Sequence, residues 1–467
     1  MKNLFSKRGF SIITLLVDLL IIYSAIFFSY YLFEDSLIAY YDNYNAFITI
    51  SPYIGLCYLI ISQIFELDKP KDFKILGVAY PIFLSIVSLL FIVMAISFLK
   101  REFAYPRSIL IFSAFIQFLL LTFWHLFVNT RFQKENIRKD ILIVGYDKSK
   151  ELAYKLLRSG GIWSRIRNIC TPEDPLLEQY IQDIDIVFIS EDVSEVQKQV
   201  ISEFCLKSHK TVFYVPKNTE ILLFNAGITQ IDDIPVLRLK YMGISADSRL
   251  VKRIVDVTLC LIALVVFLIP LIIIACSLKI GGGSIFYLQE RVTRRGKTFK
   301  IYKFRTMIEN AEALSGPVLA GQADSRITKL GRVLRATRMD EIPQIFNILK
   351  GDMSIVGPRP ERPFFVEQFK KEIPEYDLRH NVKAGLTGLA QIQGKYNTSV
   401  ENKLKYDLLY INSYSLTLDI KLIMQTLNIL LRRSSTEGSA GAIDYEAELN
   451  RVIKERSERL RNNASVL

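Results

Sequence analysis

Histidine is scarce, with three residues (His125, His209, His380) in a chain of 467. That disfavours His-ligated metal chemistry and His-based catalytic triads. The five cysteines (Cys57, Cys170, Cys205, Cys260, Cys276) lie far apart, with no C-x-x-C among them. This spacing excludes a disulfide framework and offers no zinc-site pattern. What the chain has in quantity is apolar sequence: 50% hydrophobic residues, 12% aromatic, and a mean hydropathy of +0.24. A soluble chain of this length suggests roughly three domains of ~150 residues, whereas positive hydropathy points to several membrane segments. Charged residues make up 23%, too ordered a composition for disorder of the whole chain. The net charge of +12 is uneven. Residues 1–250 carry 26 Lys+Arg against 25 Asp+Glu, and residues 251–467 carry 33 against 22. The second half is therefore where an anionic partner is expected: a phosphate, a nucleotide or an acidic lipid.

Four apolar runs fill the first 130 residues, about Ser11–Phe33, Ala46–Phe65, Pro81–Leu99 and Ser108–Val128. Each approaches the ~20 residues needed to span a bilayer core as a helix. The first lacks a small-residue cleavage site and is too long for a signal peptide, so it is expected to be retained. Asp18 lies within it and reads as a carboxylate facing neighbouring helices rather than a substrate site. Lys and Arg flank the runs asymmetrically. Lys2, Lys7 and Arg8 precede the first, Lys69, Lys71 and Lys74 follow the second, and Arg131, Lys134, Arg138 and Lys139 follow the fourth. These outnumber Lys100, Arg101 and Arg107 on the other side and predict both ends of the segment in the cytoplasm. His125, beside Trp124, reads as an interfacial anchor.

Between residues 133 and 248 strands and helices alternate: Ile141–Gly145, a helix near Lys150–Arg158, Ile184–Ile189, a helix near Ser194–Ser208, and Thr211–Val215. This predicts a small parallel Rossmann-like α/β domain. The dinucleotide fingerprint is missing, since Tyr-Asp-Lys-Ser-Lys follows Gly145. Tyr146 and Lys150 match the Tyr-x-x-x-Lys pair of short-chain dehydrogenases but stand on the wrong turn, so a degenerate domain used for packing or regulation is expected.

A fifth uncharged run, Val257–Leu278, contains Pro270 at its centre. Proline removes a helix hydrogen bond and clashes with the preceding turn. The run alone fits either a fifth span with a kink or a re-entrant helix–break–helix that enters and leaves on one face. The strongly basic region after it favours the second.

The densest chemistry lies at Leu334-Arg-Ala-Thr-Arg-Met-Asp340-Glu341-Ile-Pro343-Gln344, continuing to Gly357-Pro358-Arg359-Pro360. Ile342, Ile345, Phe346 and Leu349 follow one helical face. Asp340 suits an N-cap, Pro343 a first turn and Gly351 a stop. Carboxylates at a helix start can be a plain cap and dipole partner. Adjacent carboxylates can also divide labour, as nucleophile or magnesium ligand and as base. Nearby Arg335, Arg338 and Arg359 suit phosphate.

This stretch resembles the signature of the bacterial sugar transferase family, the polyprenyl-phosphate hexose-1-phosphate transferases. The resemblance extends to Lys252-Arg-x-x-Asp256, Phe286-Tyr-Leu-Gln289-Glu290-Arg291, Lys303-Phe-Arg305-Thr306-Met307, Leu378-Arg379-His380 and Gly385-Leu-Thr387-Gly388-Leu-Ala-Gln391, covering about residues 250–432. It implies a four-helix transmembrane bundle (1–132), a Rossmann-like domain (133–248), a re-entrant helix broken at Pro270 (249–280), a cytoplasmic α/β catalytic domain (281–433) and a polar tail (434–467). The implied reaction moves hexose-1-phosphate, glucose or galactose favoured, from a UDP-sugar to undecaprenyl phosphate with release of UMP. It begins capsule or exopolysaccharide repeat units. By resemblance Asp340 is the nucleophile and Glu341 a base, both associated with Mg2+, and Lys303, Arg305, Arg335, Gln344, Arg359 and Lys395 contact substrate. Lys395 stands where some members have arginine, and Ile269-Pro270 where many have Ser-Pro. Expected partners are the UDP-sugar, undecaprenyl phosphate, membrane lipids and a second copy as a homodimer, with no nucleic acid. The expected location is the bacterial inner membrane, soluble domains on the cytoplasmic face. The alternatives are an NAD-dependent membrane nucleotide-sugar dehydratase or epimerase, and a non-catalytic scaffold of polysaccharide assembly.

Overall fold

The structure is a computed structural model that describes residues 7–33, 37–67, 75–102, 106–136, 139–159, 165–239, 242–308, 326–394, 398–430 and 445–451. The chain forms two compact units, Met1–Val215 with Ile443–Leu467, and Pro216–Ala442.

The first unit opens with four long helices, α1 (Lys7–Leu32), α2 (Leu37–Ile64), α3 (Ile75–Leu99) and α4 (Arg107–Asn136). All four are long and apolar enough to cross a bilayer, and they fit a membrane protein. α4 packs against both α1 and α3, and α2 against α3. Several of their buried hydroxyls are satisfied within their own helix. Ser29 and Ser85 donate to the carbonyls of Ala25 and Pro81, both at 2.7 Å, which keeps hydroxyls paired where water is absent. Asp18 is fully buried and faces neighbouring helices as expected. Tyr58 of α2 donates to its Oδ2 at 2.8 Å, and His125 Nε2 of α4 lies 3.1 Å from both its oxygens. His125 is thus a buried interhelical partner, not an interfacial anchor. Its sequence neighbour Trp124 misled the reading because helical periodicity turns adjacent residues to different faces.

A parallel sheet follows in the order β2-β1-β3-β4, built from β1 (Ile141–Val144), β2 (Ile166–Cys170), β3 (Ile186–Ile189) and β4 (Thr211–Tyr214). Between them run α5 (Asp147–Ser159), α6 (Leu177–Asp183) and α7 (Glu195–Lys207). The fully buried β1 and β3 were legible as apolar runs. The edge strand β2 was not, because Arg167 and Asn168 interrupt it. Two contacts bear on nucleotide binding. The backbone N–H of Lys148 at the start of α5 donates to Asp192 Oδ2 at 2.8 Å, so the chain's own carboxylate occupies the helix start that a pyrophosphate would need. Tyr146 bonds Glu173 and Lys150 pairs with Glu446 at 2.7 Å, so they are separately engaged. A helical turn at 445–451 seats Leu449 and Tyr445 against Tyr154 and Leu156.

The second unit begins earlier than the boundary at 248 drawn from sequence. α8 (Asn218–Leu223) buries Ile221 with Leu404 and Leu408, and the hairpin β5 (Gly227–Ile231)–β6 (Ile234–Arg238) follows it. Next comes α9 (Ala246–Ile280), 35 residues and therefore ~52 Å long. After it come β7 (Phe286–Val292), β8 (Thr298–Phe304), α10 (Lys329–Ala336), α11 (Gln344–Lys350), β9 (Met353–Val356), α12 (Pro363–Glu372), β10 (Ala384–Thr387), α13 (Leu389–Gln393), α14 (Val400–Asn412) and α15 (Leu416–Leu430). β7 and β8 pair antiparallel, and β9 and β10 parallel.

Pro270 does not interrupt α9, contrary to the expected helix–break–helix. A single missing donor leaves most of the ladder intact, and packing on both sides of the proline holds it. Phe267, Leu271, Ile274 and Leu278 pack with Phe304 and Leu334, and Cys260 packs with Phe299 and Ile345. The first turns of α9 are fastened by charge. Lys252 pairs with Asp419, Arg253 donates to the carbonyls of Ile348 and Leu349, and Asp256 accepts from Ser354 Oγ at 2.7 Å and Ile355 N at 3.1 Å. The opposite face, including Leu261, Val265, Ile269 and Ile273, is exposed apolar surface.

Asp18→Ala leaves the Tyr58 hydroxyl and His125 buried without their partner. We expect a loss of about 1–2 kcal/mol of helix association, read as a lowered unfolding temperature in detergent. An unchanged transition contradicts the assignment of Asp18 as an interhelical tie.

Candidate active site

α10 stops at Ala336, and Arg338 adopts a left-handed conformation (φ 58°, ψ 14°). For a residue with a Cβ this costs on the order of 1 kcal/mol. It reverses the chain into a 3₁₀ turn, Met339–Glu341, which lies against β8. Asp340 is therefore not the N-cap expected from sequence. Pro343 caps α11, which is only seven residues long, and Gly351 ends it at φ 94° as expected. The hydrophobic face is also rotated: Ile345 and Ile348 are buried and Phe346 is exposed. The cause is Asn347, which is fully buried and latches β8, its Nδ2 donating to Lys300 O at 2.8 Å and its Oδ1 accepting from Tyr302 N at 2.9 Å. A buried amide among apolar residues gave no periodic signal.

This latch fixes the strand that carries Lys303. Lys303 Nζ reaches Glu341 Oε1 at 2.6 Å, and Arg359 Nη2 reaches the same oxygen at 3.2 Å. Burial alone would raise the Glu341 carboxyl, but the two cations outweigh it and hold this carboxyl far below the usual range. Asp340 differs. It is 9% exposed, and its Oδ1 has no hydrogen-bond partner. Burial, reinforced by the Glu341 charge, raises its pKa against the lowering effect of Lys303, Arg335 and Arg338. The pair thus combines a permanently charged carboxylate with an unpaired one of raised basicity.

Arg335 is steered by Nε donation to Thr306 Oγ1 at 2.9 Å. α10 comes this close because of Gly331, where a Cβ would lie 2.1 Å from the Thr306 carbonyl oxygen. Arg305 is not in this group. It donates to the carbonyls of Gly282 and Leu278 and so closes the exit from α9. Gln344 is buried in the first turn of α11. Lys395 lies outside the described residues. His380 is buried and bonds Asp377 at 2.9 Å. Sequence reasoning therefore found Asp340, Glu341, Lys303, Arg335 and Arg359 together, and missed Asn347 and the left-handed Arg338.

Among the described residues no group of three or more His, Cys, Asp and Glu could hold a metal ion. The unpaired Asp340 oxygen still fits a hard cation that brings phosphate oxygens and water as its other ligands.

Comparison with known proteins finds similarity over the same region of the chain. Residues 247–433 match the bacterial sugar transferase family. An Aeromonas hydrophila protein named UDP-N-acetylgalactosamine-undecaprenyl-phosphate N-acetylgalactosaminephosphotransferase is 36% identical over 231 residues, 49% of this chain and 54% of that protein. A Klebsiella pneumoniae protein named UDP-glucose:undecaprenyl-phosphate glucose-1-phosphate transferase is 36% identical over 225 residues, 46% and 48% of the two chains. A Salmonella typhimurium undecaprenyl-phosphate galactose phosphotransferase is 32% identical over 241 residues, 48% and 50%. The chain spans about half the length of these curated relatives. The similarity to the bacterial sugar transferase family is thus carried by residues 247–433.

Proposed function

We propose that this protein is a phosphoglycosyl transferase that moves a hexose-1-phosphate from a UDP-sugar to undecaprenyl phosphate. The observation that carries this reading is the unpaired Asp340 oxygen, buried beside a Glu341 already neutralised by Lys303 and Arg359. The relatives' names support the substrate classes.

In the first step Asp340 attacks the β-phosphorus of the UDP-sugar. A carboxylate–phosphorus bond forms, the bond to the bridging oxygen breaks, and UMP leaves with that oxygen's electron pair. In the second, an oxygen of undecaprenyl phosphate attacks the same phosphorus and Asp340 is released as a carboxylate. Lys303, Arg335 and Arg359 bind phosphate oxygens and oppose the charge that builds on them. Glu341 holds Lys303 and Arg359 in place until phosphate arrives. Asp340 would hold magnesium, whose positive charge would further neutralise the phosphate oxygens. Glucose, galactose and N-acetylgalactosamine are all represented in the relatives' names, and a plain hexose is proposed for this protein.

The site is proposed to face the cytoplasm at the inner-membrane surface, with α9 lying in the interface. Two features support this. Asp256 near one end of the apolar run and Leu278 at the other are both fixed to the same domain, and one face packs on it along the run. A helix so fastened does not carry the following residues across the bilayer. An NAD-dependent dehydratase is disfavoured, because Asp192 would repel a pyrophosphate from α5.

Five outcomes are expected. In detergent with undecaprenyl phosphate, magnesium and UDP-sugars, UMP is released for one or two sugars. Asp340→Ala and Asp340→Asn lower that turnover by about 10³-fold or more, and unimpaired variants discard the nucleophile. As pH falls, the acid limb of kcat/KM appears above the ~3.9 of an ordinary aspartate, because Asp340 must be ionised and its pKa is raised. Glu341→Gln removes the neighbouring negative charge and frees Lys303 and Arg359 to act on Asp340, so the limb moves to lower pH; a limb that stays or rises contradicts the electrostatic account. A tag after residue 467 is labelled only in permeabilised cells, and labelling from outside intact cells overturns the proposed topology.

A further inference from the structure

The Gly357-Pro358-Arg359-Pro360 turn carries the Arg359 side chain that reaches Glu341, yet two of its four residues lack a backbone donor. It is braced from outside instead. Four successive carbonyls each accept a bond from elsewhere in the domain. Gly385 N donates to Pro358 O at 2.9 Å, Arg379 Nη2 to Arg359 O at 2.9 Å, Arg291 Nη1 to Pro360 O at 3.1 Å and Val292 N to Glu361 O at 2.9 Å. Two of these donors are backbone groups fixed by strands. Of the two guanidinium donors, Arg379 addresses the carbonyl of Arg359 itself.

Arg379 is 5% exposed and would be a buried, uncompensated charge without a partner. The partner is Asp407, buried on α14, with Oδ2 at 2.8 Å from Arg379 Nη2. Nη1 donates to the hydroxyl of buried Tyr376, over whose ring the guanidinium carbon lies at 5.0 Å. The planar fork thus has three fixed directions: carboxylate, phenol and the Arg359 carbonyl. A lysine could not hold all three at once.

We infer that Arg379 and Asp407 are positioning residues that set the direction of Arg359, and through it the Glu341 pairing beside Asp340. The chain of contact runs Asp407, Arg379, Arg359 carbonyl, Arg359 guanidinium, Glu341, and every link is a distance given above. Neither residue touches the reacting atoms. This inference rests on the transferase reading for its kinetic consequence, though not for its structural one.

The test uses the full-length protein with Arg379→Lys, which keeps the charge but not the fork, and Asp407→Asn, which keeps the shape but not the charge. The first readout is independent of turnover. Structures of the two variants should show the 358–361 turn displaced and the Arg359–Glu341 pair opened beyond 4 Å, and an unmoved turn in both overturns the inference. The second is kinetic. Each variant should lower kcat by roughly 10–100-fold, with UDP-sugar KM changed far less. In an Arg359→Lys background the Arg379→Lys change should cost less than about twofold further, because both act through one contact. Losses that multiply, or a lowered unfolding temperature with kcat preserved, show a merely structural pair. A wild-type protein that releases no UMP discards the transferase reading instead, and the inference is then decided by the variant structures alone.

Discussion

The candidate site is organised around one carboxylate oxygen that two cations share. Glu341 Oε1 receives both Lys303 and Arg359. These residues come from a strand and from a proline-rich turn, far apart in sequence, so the shared oxygen defines where the strand, the 3₁₀ turn and the 358–361 turn meet. It also absorbs charge. With Glu341 holding two cations, the adjacent Asp340 feels a negative neighbour and a nearly dry environment, and its remaining oxygen has nothing to bond. A buried polar atom left unpaired costs ~1–3 kcal/mol. That cost is tolerable where an incoming phosphate or cation removes it.

Two buried aspartates show the difference between a paired and an unpaired use of the same side chain. Asp18 has a tyrosine hydroxyl and a histidine nitrogen on its oxygens, supplied by two other helices. It is satisfied, and it ties helices. Asp340 is also buried, though at 9% exposure less completely than Asp18, and one of its oxygens has no partner. The surroundings of Asp340 are maintained by devices with no chemistry of their own. The Asn347 latch aligns β8, Gly331 lets α10 approach Thr306, and the strained Arg338 turns the chain at the right residue. Each constrains geometry, and the site depends on all three.

Much of this was legible in the sequence, for definite reasons. The apolar runs of α1 to α4 and the buried strands β1 and β3 carry period and length signals that survive without tertiary context. The Asp340-Glu341 pair and the basic residues around it stand out because adjacent carboxylates with arginines at 335 and 338 form a compact local pattern. What escaped reading depends on long-range contact. Pro270 looked like a break because local sequence cannot show that Phe267 and Leu271 are held by Phe304 and Leu334 on either side of it. Asp340 looked like an N-cap because nothing local announces a left-handed arginine two residues earlier. Arg305, inside a basic motif, turned out to close the exit of α9, since direction along a strand is set by pairing partners.

The measurement that bears most directly on the account is intact and peptide mass spectrometry of the protein mixed with a UDP-sugar and magnesium, with no lipid phosphate present. The account predicts a hexose-phosphate adduct on the peptide containing Asp340, formed with UMP, discharged on adding undecaprenyl phosphate, and missing from Asp340→Asn. Lipid-linked product accumulating while no adduct is ever detected on Asp340 would contradict it.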